Sequence, residues 1–323
     1  MRAIYKNICA SIKNKQRLLA VLIDPDKISV NKVSDFIDKI NHSTATHIFV
    51  GGSIVDDNQT DALIKAIKSF TKLPIVLFPG DITQISNKAD ALLFLSLISG
   101  RNPEYLIGKH VDSVSKLKGT NLEVIPTGYV LVENGKQTSV ERVTHTKPIS
   151  RDNIEHIVNT AKAGELLGMK LIYLEAGSGA LEPITSDIIS SVKSELSIPL
   201  IVGGGIRTSR QLENAYNSGA DLVVIGTALE EDDSFFEQLK QKPYFLSTCR
   251  GGVTSTQALL EALQNQQIRG AGLDVLENER LETYSQVEKA NLEALMALPN
   301  FILTPHIAGY SQEAYYKMSK ILL

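Results

Sequence analysis

One feature constrains this chain more than any other: eight largely apolar runs recur between residues 18 and 229. They are LLAVLIDP (18–25), HIFVGGS (47–53), PIVLFPG (74–80), ALLFLSLIS (91–99), LEVIPTGYVLVE (122–133), LIYLEAG (171–177), PLIVGGG (199–205) and LVVIGTAL (222–229). Near-continuous apolar runs of this length are the pattern of strands buried on both faces. Amphipathic helical patterns such as NKVSDFIDKIN, TDALIKAIKSF and TSRQLENAYNSG lie between most of them. Asp152, Ser186 and Thr208 read as N-caps, and Gly168 and Gly219 as stops. Only DITQISNKAD, between the third and fourth runs, is short for a full helix. Eight strands with intervening helices predict a (β/α)8 TIM barrel. The alternative is a doubly wound open sheet, but its glycine-rich turn usually follows the first strand.

The chain of 323 residues exceeds the usual size of one domain and fits a barrel of about 250 residues plus an appendage. After residue 240 the sequence reads strand, helix, strand, then a charged connection, a strand and a helix. Those strands are surplus to a closed barrel. The expected organisation is a barrel over 1–240 and a separate unit over 241–323, with the boundary near Lys240–Pro243. A polar insertion, 133–153, follows the fifth run. A loop of that size reads as a lid or binding loop, or equally as a surface excursion.

Charge and composition narrow the function classes. With 43% hydrophobic and 21% charged residues the chain is ordinarily globular, and a net charge of −3 gives no reason to expect nucleic-acid binding. No apolar run approaches bilayer-spanning length, and the N-terminus lacks a signal-peptide pattern. Cys9 and Cys249 are far apart and read as the reduced thiols of a cytoplasmic protein.

The chemistry gathers at the ends of the runs. Residues two apart on a strand share a face, so Tyr173 and Glu175 point the same way. Beyond them Gly177 and Gly179 leave bare backbone; Gly203-Gly204-Gly205 and Gly226-Thr227 end the next two runs likewise. In a barrel these turns lie where phosphate is often bound by backbone N–H groups. A carboxylate beside a phosphate repels it but can accept hydrogen bonds from hydroxyls of the same ligand, or remove a proton from one. The implied ligand is a small polyol phosphate. Asp24 and Ser53 end the first two runs and would face the same mouth. Few hard oxygen ligands with room for water and phosphate oxygens suit Mg2+. Asp24 ahead of Pro25 reads equally as a turn cap. The histidines show no zinc spacing, and no Cys or Ser is set beside a histidine as a nucleophile.

Together YLEAGSGA, VGGGIRT, VVIGTAL, LIDPDK and FVGGS resemble the geranylgeranylglyceryl phosphate synthases over about residues 1–240. The resemblance implies Mg2+-dependent transfer of a prenyl group from a prenyl diphosphate to the 3-hydroxyl of sn-glycerol 1-phosphate, releasing diphosphate, in ether lipid synthesis. It implies Mg2+ on Asp24 and Ser53. It implies glycerol phosphate on Tyr173, Leu174, Glu175, Ala176, Gly177, Ser178, Gly179, Gly204, Gly205, Gly226 and Thr227, with Glu175 accepting the proton. Some bacterial members carry lysine where Leu22 stands, so the resemblance points to the subgroup shared by archaea and some bacteria, and to a geranylgeranyl donor. It implies a homo-oligomer, and a lipid donor allows transient membrane contact.

Residues 241–323 resemble a different family, the NAD-dependent D-2-hydroxyacid dehydrogenases of the phosphoglycerate type, through STCRGGV, GAGLDVLENE and LTPHIAGYS. By that resemblance Arg250 would bind a substrate carboxylate, His306 would transfer the proton and Glu279 would tune it. No GxGxxG cofactor turn accompanies them, so this partial Rossmann-like fragment reads as a non-catalytic remnant. The alternatives to the synthase are another phosphate-binding barrel enzyme, a working dehydrogenase in the tail, or an assembly protein whose tail is an interaction module.

Overall fold

In the computed structural model, residues 3–52, 59–232, 234–240, 242–313 and 320 are described. The chain forms two compact units, Met1–Lys240 and Gln241–Leu323.

The first unit carries eight parallel strands: β1 (Leu18–Ile23), β2 (His47–Val50), β3 (Ile75–Leu77), β4 (Ala91–Ser96), β5 (Glu123–Leu131), β6 (Leu171–Glu175), β7 (Leu200–Gly203) and β8 (Leu222–Ile225). Each pairs with its sequence neighbours, and β8 also pairs with β1 from Leu18↔Leu222 to Val21↔Ile225, so the expected (β/α)8 barrel closes. Most runs overshoot their strands at the C-terminal end. Gly204 and Gly205, at φ +86° and +73°, leave the ladder and turn over the mouth.

Alternation along the strands divides the core into two layers. Leu19, Val21, Ile48 and Val50 face outward onto helix residues such as Ile37, Ile40, Ile64 and Ile67. Ala20, Phe49, Val76, Leu93 and Tyr173 fill the interior with Ile4 and Ile8 of the helix Ile4–Lys13. That helix is docked by Glu123, at the start of β5, whose carboxylate accepts the N–H groups of Ile4 and Tyr5.

Two expected caps shift by one residue. Asn153 rather than Asp152 caps the helix Ile154–Leu166, and Thr185 rather than Ser186 caps Ser186–Glu195. In each case the neighbour's side-chain oxygen is the one that meets the free N–H of the first turn. Thr208 caps Ser209–Asn217 in a reciprocal box with Gln211, and Gly168 and Gly219 follow their helices at positive φ. DITQISNKAD yields only a 3-10 turn, Ile82–Gln84. The polar insertion is not a featureless excursion. It holds the helix Ser139–Thr144, started by a Thr138/Glu141 capping box, and Val132 bridges Ile149 at its base.

The second unit is the partial Rossmann-like fragment: a three-stranded parallel sheet of β9 (Tyr244–Ser247), β10 (Gly270–Leu273) and β11 (Phe301–Leu303), in the order β11-β10-β9. Leu259, Leu260 and Leu263 of the helix Thr256–Gln264, and Leu295 of Gln286–Met296, pack on Ala271 and Leu273. The other face carries Tyr244, Leu246 and Ile302, which are 63%, 79% and 68% exposed. Parallel sheets are normally covered on both faces. With one apolar layer instead of two, this unit should open more readily than the barrel. In native-state hydrogen exchange of the whole chain, the amides of β9–β11 are expected to exchange faster than those of β6–β8. Equal protection would show that the smaller sheet is as stable as the closed one.

Candidate active site

At the C-terminal ends of the strands lies a cavity with about 1110 Å³ of empty volume. Asp24, Tyr173, Glu175, Gly177, Ser178, Gly179, Gly204, Gly205, Gly226 and Thr227 all line it. These are the residues that the resemblance assigns to ligand and metal, with three exceptions. Ser53 lies outside the described residues. Leu174 and Ala176 bury their side chains in the outer core layer. Ala176 also commits its backbone, donating its N–H to Gly203 at 3.0 Å and accepting from the Asn134 amide. Neither presents a side chain to the mouth.

Glu175 is 5% exposed and is the most perturbed acid of the cavity. Its Oε1 accepts the Gly177 N–H at 2.5 Å, and the Tyr173 hydroxyl hydrogen-bonds the same carboxylate. Burial pushes its carboxyl up to about 7, against the pull of those two bonds. The glycines explain how it fits. A Cβ on Gly204 would lie 2.4 Å from Glu175 Oε1, one on Gly203 2.3 Å from the Tyr173 hydroxyl, and one on Gly177 2.3 Å from Thr138. These bare backbones are occupied by neighbouring side chains, which the sequence reading, with its emphasis on ligand approach, did not foresee. Gly179 and Gly226 stay open: a Cβ there would meet nothing closer than 3.3 Å.

Asp24 stands on the rim beside Gly52, where a Cβ would lie 2.7 Å from its Oδ1. The carboxylate accepts one backbone N–H, from Asp26 at 3.1 Å. Lys27 Nζ is 4.0 Å away but is engaged by Glu230 at 2.8 Å. Burial raises the Asp24 carboxyl above its usual range, a raise that the Asp26 bond and Lys27 only partly counter. An under-compensated hard oxygen at an open mouth fits Mg2+, which takes one or two carboxylates and keeps water or substrate phosphate for its other positions. Among the described residues no cluster of three or more His, Cys, Asp or Glu could hold a metal alone.

A second cavity, of about 880 Å³, adjoins the first through Gly52, Phe78, Tyr129 and Val140. Its lining is mostly apolar, including Ile85, Leu93, Leu95, Leu97, Tyr105 and Val143. Lys109 there pairs with Asp81 and lies over the Tyr105 ring. His110 packs edge-on against Phe94 at 4.4 Å, its pKa lowered by burial. Phe78, Tyr129 and Tyr173 form an aromatic cluster at the junction, with centroids 5.3–6.0 Å apart. The sequence reading missed Phe78, Tyr129 and Arg142; an apolar groove for a prenyl tail is implied by the resemblance, but its course is not traceable in the sequence. Strand parity was the available signal for Tyr129, since it pairs with Tyr173 in register.

Comparison with known proteins agrees with this geometry. The sequence model of the PcrB family matches residues 11–242. The chain belongs to the PcrB family. The geranylgeranylglyceryl phosphate synthase of Flavobacterium johnsoniae is 54% identical over 237 residues, 73% of this chain and 98% of that protein. That of Pyrococcus furiosus is 40% identical over 241 residues, 74% of this chain and 94% of that protein. The crystal structure of (S)-3-O-geranylgeranylglyceryl phosphate synthase from Thermoplasma acidophilum, in complex with sn-glycerol-1-phosphate, superposes with a TM-score of 0.70 at 33% identity, covering 74% of this chain and 96% of that one.

A second match, to the NAD binding domain of D-isomer specific 2-hydroxyacid dehydrogenases, spans residues 219–308. Its first part runs through β8, which hydrogen-bonds β7 and β1 and so belongs to the PcrB-family barrel. In the second unit His306 Nδ1 and Glu279 Oε1 are 2.8 Å apart. The Arg250 side chain is exposed and has no hydrogen bond or ion pair among the described residues. Asp274, unremarked in the sequence, orders this loop by accepting the Ile307 and Ala308 N–H groups at 2.9 Å each and the Thr304 hydroxyl at 2.6 Å.

The raised carboxyl of Glu175 has a signed consequence. Between its ordinary 4.5 and about 7 the native state keeps a proton that the unfolded chain has lost. This group's contribution to stability therefore falls as pH rises through that window. Relative to wild type, Glu175→Gln is expected to gain stability from pH 4.5 to pH 7, by up to about 3 kcal/mol in urea unfolding. A difference between the two that does not change with pH would mean that Glu175 titrates normally.

Proposed function

We propose that the barrel is a geranylgeranylglyceryl phosphate synthase, a prenyltransferase joining sn-glycerol 1-phosphate to a prenyl diphosphate. The observation that carries this reading is the pair of adjoining cavities. One is polar, with a buried carboxylate beside glycine turns; the other, of about 880 Å³, is mostly apolar and suits a hydrocarbon tail. Acceptor phosphate would take backbone N–H groups at Ser178-Gly179, Gly204-Gly205 and Gly226-Thr227, with the Ser178 and Thr227 hydroxyls beside it, while the Gly177 N–H stays on Glu175. Tyr173 and Glu175 would take the glycerol hydroxyls.

The 3-hydroxyl oxygen attacks C1 of the prenyl chain. As the new C–O bond forms, the bond from C1 to the diphosphate oxygen breaks, and its electron pair leaves with diphosphate. The hydroxyl proton passes to Glu175, whose carboxyl, raised to about 7, is poised to accept it near neutral pH. Holding both reactants in one mouth supplies much of the acceleration. Mg2+ would be held by Asp24, with Ser53 named on sequence alone, and would neutralise charge on the diphosphate.

We read the chain as a cytoplasmic homo-oligomer that meets a membrane only to collect its donor. No described helix is long and apolar enough to cross one. The second unit, with its three strands and no glycine-rich cofactor turn, is taken as non-catalytic.

The test is formation of the ether product from sn-glycerol 1-phosphate and geranylgeranyl diphosphate, detected by mass. Glu175→Ala is expected to lower turnover by about 10²–10⁴-fold, the usual worth of a positioned base. Asp24→Ala is expected to abolish the Mg2+ response. No product from the folded wild-type chain, or full turnover in Glu175→Ala, would overturn the reading.

A further inference from the structure

We propose that Arg142 is the protein's own cation for the leaving diphosphate, an inference that rests on the prenyl-transfer reading above. Three cationic side chains line the polar mouth: Lys27, Arg142 and Arg207. Two are neutralised in place. Lys27 is bound by Glu230 at 2.8 Å, and Arg207 by Glu231 at 2.7 Å. Among the described residues the Arg142 guanidinium alone of the three has no hydrogen bond or ion pair; only its backbone N–H is engaged, by the Thr138 carbonyl at 3.1 Å. The neighbouring acid is not available either, because Glu141 closes the capping box on the Thr138 N–H at 3.3 Å. A guanidinium kept at a substrate cavity without a counterion is matched to an anionic ligand.

The segment that carries it is fixed at both ends. Thr138 packs on Gly177, where a Cβ would come within 2.3 Å of its methyl, and the Thr144 carbonyl accepts from Asn102 at 2.8 Å. Between those anchors the helix Ser139–Thr144 forms a partition. Ser139 and Arg142 face the polar mouth, Val143 and Thr144 face the apolar groove, and Val140 lines both.

That placement selects the donor over the acceptor. A prenyl diphosphate whose tail fills the groove must leave its head where groove and mouth meet, which is the edge this helix forms. The acceptor's phosphate has other partners, the backbone of the glycine turns and Lys136, whose Nζ lies 3.3 Å from the Cβ position of Gly179. Charge grows on the diphosphate as the C1–O bond breaks, so a fixed guanidinium there gains strength along the reaction. Its fork can take two phosphate oxygens at once, which lysine cannot.

The experiment measures calorimetric binding of inorganic pyrophosphate, and separately of sn-glycerol 1-phosphate, to the full chain in magnesium buffer. Wild type, Arg142→Gln and Arg142→Lys are compared. A charge-assisted contact predicts that Arg142→Gln weakens pyrophosphate by about tenfold or more. Arg142→Lys falls between, and sn-glycerol 1-phosphate affinity is unchanged. In turnover, the donor KM rises and the acceptor KM does not. Unchanged pyrophosphate affinity in Arg142→Gln, or a loss that falls on sn-glycerol 1-phosphate instead, overturns the assignment. If pyrophosphate binding depends on Arg142 but the wild type makes no ether product, the reaction has been misread and the diphosphate site stands.

Discussion

The structure depends on a carboxylate that water barely reaches. Burying a charge costs several kcal/mol unless it is compensated. Glu175 receives only the Gly177 N–H and the Tyr173 hydroxyl, which leaves its carboxyl at about 7. That position exists because the adjacent strand end has no side chains: at Gly203 and Gly204 any Cβ would collide with Tyr173 and Glu175 themselves. The residues that empty the turns and the residue that fills the space are one device. Asp24 and Gly52 repeat it just past the ends of β1 and β2.

Closure of the barrel turns these local devices into a site. Parallel strands put every C-terminal end at one pole, so β1 and β8, some 200 residues apart in sequence, sit side by side. Hence Lys27, after β1, can be neutralised by Glu230, after β8. The interior below is plugged by side chains and by Ile4 and Ile8, so the mouth is the open end. Its polarity is graded around the rim. Glycine turns and hydroxyls follow β6, β7 and β8, while the groove is built from Leu92–Leu95 of β4 and the helix Lys109–Leu117. A reaction between a polar phosphate and a hydrocarbon diphosphate requires such a gradient, because neither half of the pair is soluble in the other's pocket.

Strands that are apolar on both faces announce themselves, and the eight runs were legible for that reason. Residues at strand ends were legible too, since parity and position place Tyr173, Glu175 and Asp24 at the mouth without any tertiary information. What escaped were properties that exist only between segments. Whether Gly204 is bare for a ligand or for Glu175 is decided by strand neighbours, not by VGGGIRT. Arg142 looked like one charge among many in a polar insertion; its lack of a counterion among the described residues is a fact of three dimensions. The groove is assembled from β3, β4 and the helices beyond, and no single stretch carries its shape. The caps at Asn153 and Thr185 slipped by one because adjacent residues of equal capping power compete, and only backbone geometry chooses between them.

The second unit shows how far side-chain geometry can persist without the machinery it resembles. His306 sits at φ +54°, and its N–H bonds the Asp274 carbonyl at 2.9 Å. Asp274 sits just past the end of β10, and its carboxylate gathers Thr304, Ile307 and Ala308. The 2.8 Å approach of His306 to Glu279 therefore follows from a loop tied to one strand end, and it asks nothing of a cofactor cradle. A paired histidine and glutamate is thus a statement about local folding. Hydride transfer needs in addition a surface that grips a dinucleotide, and the GxGxxG turn that usually offers its phosphates backbone N–H groups does not occur in the sequence of 241–323.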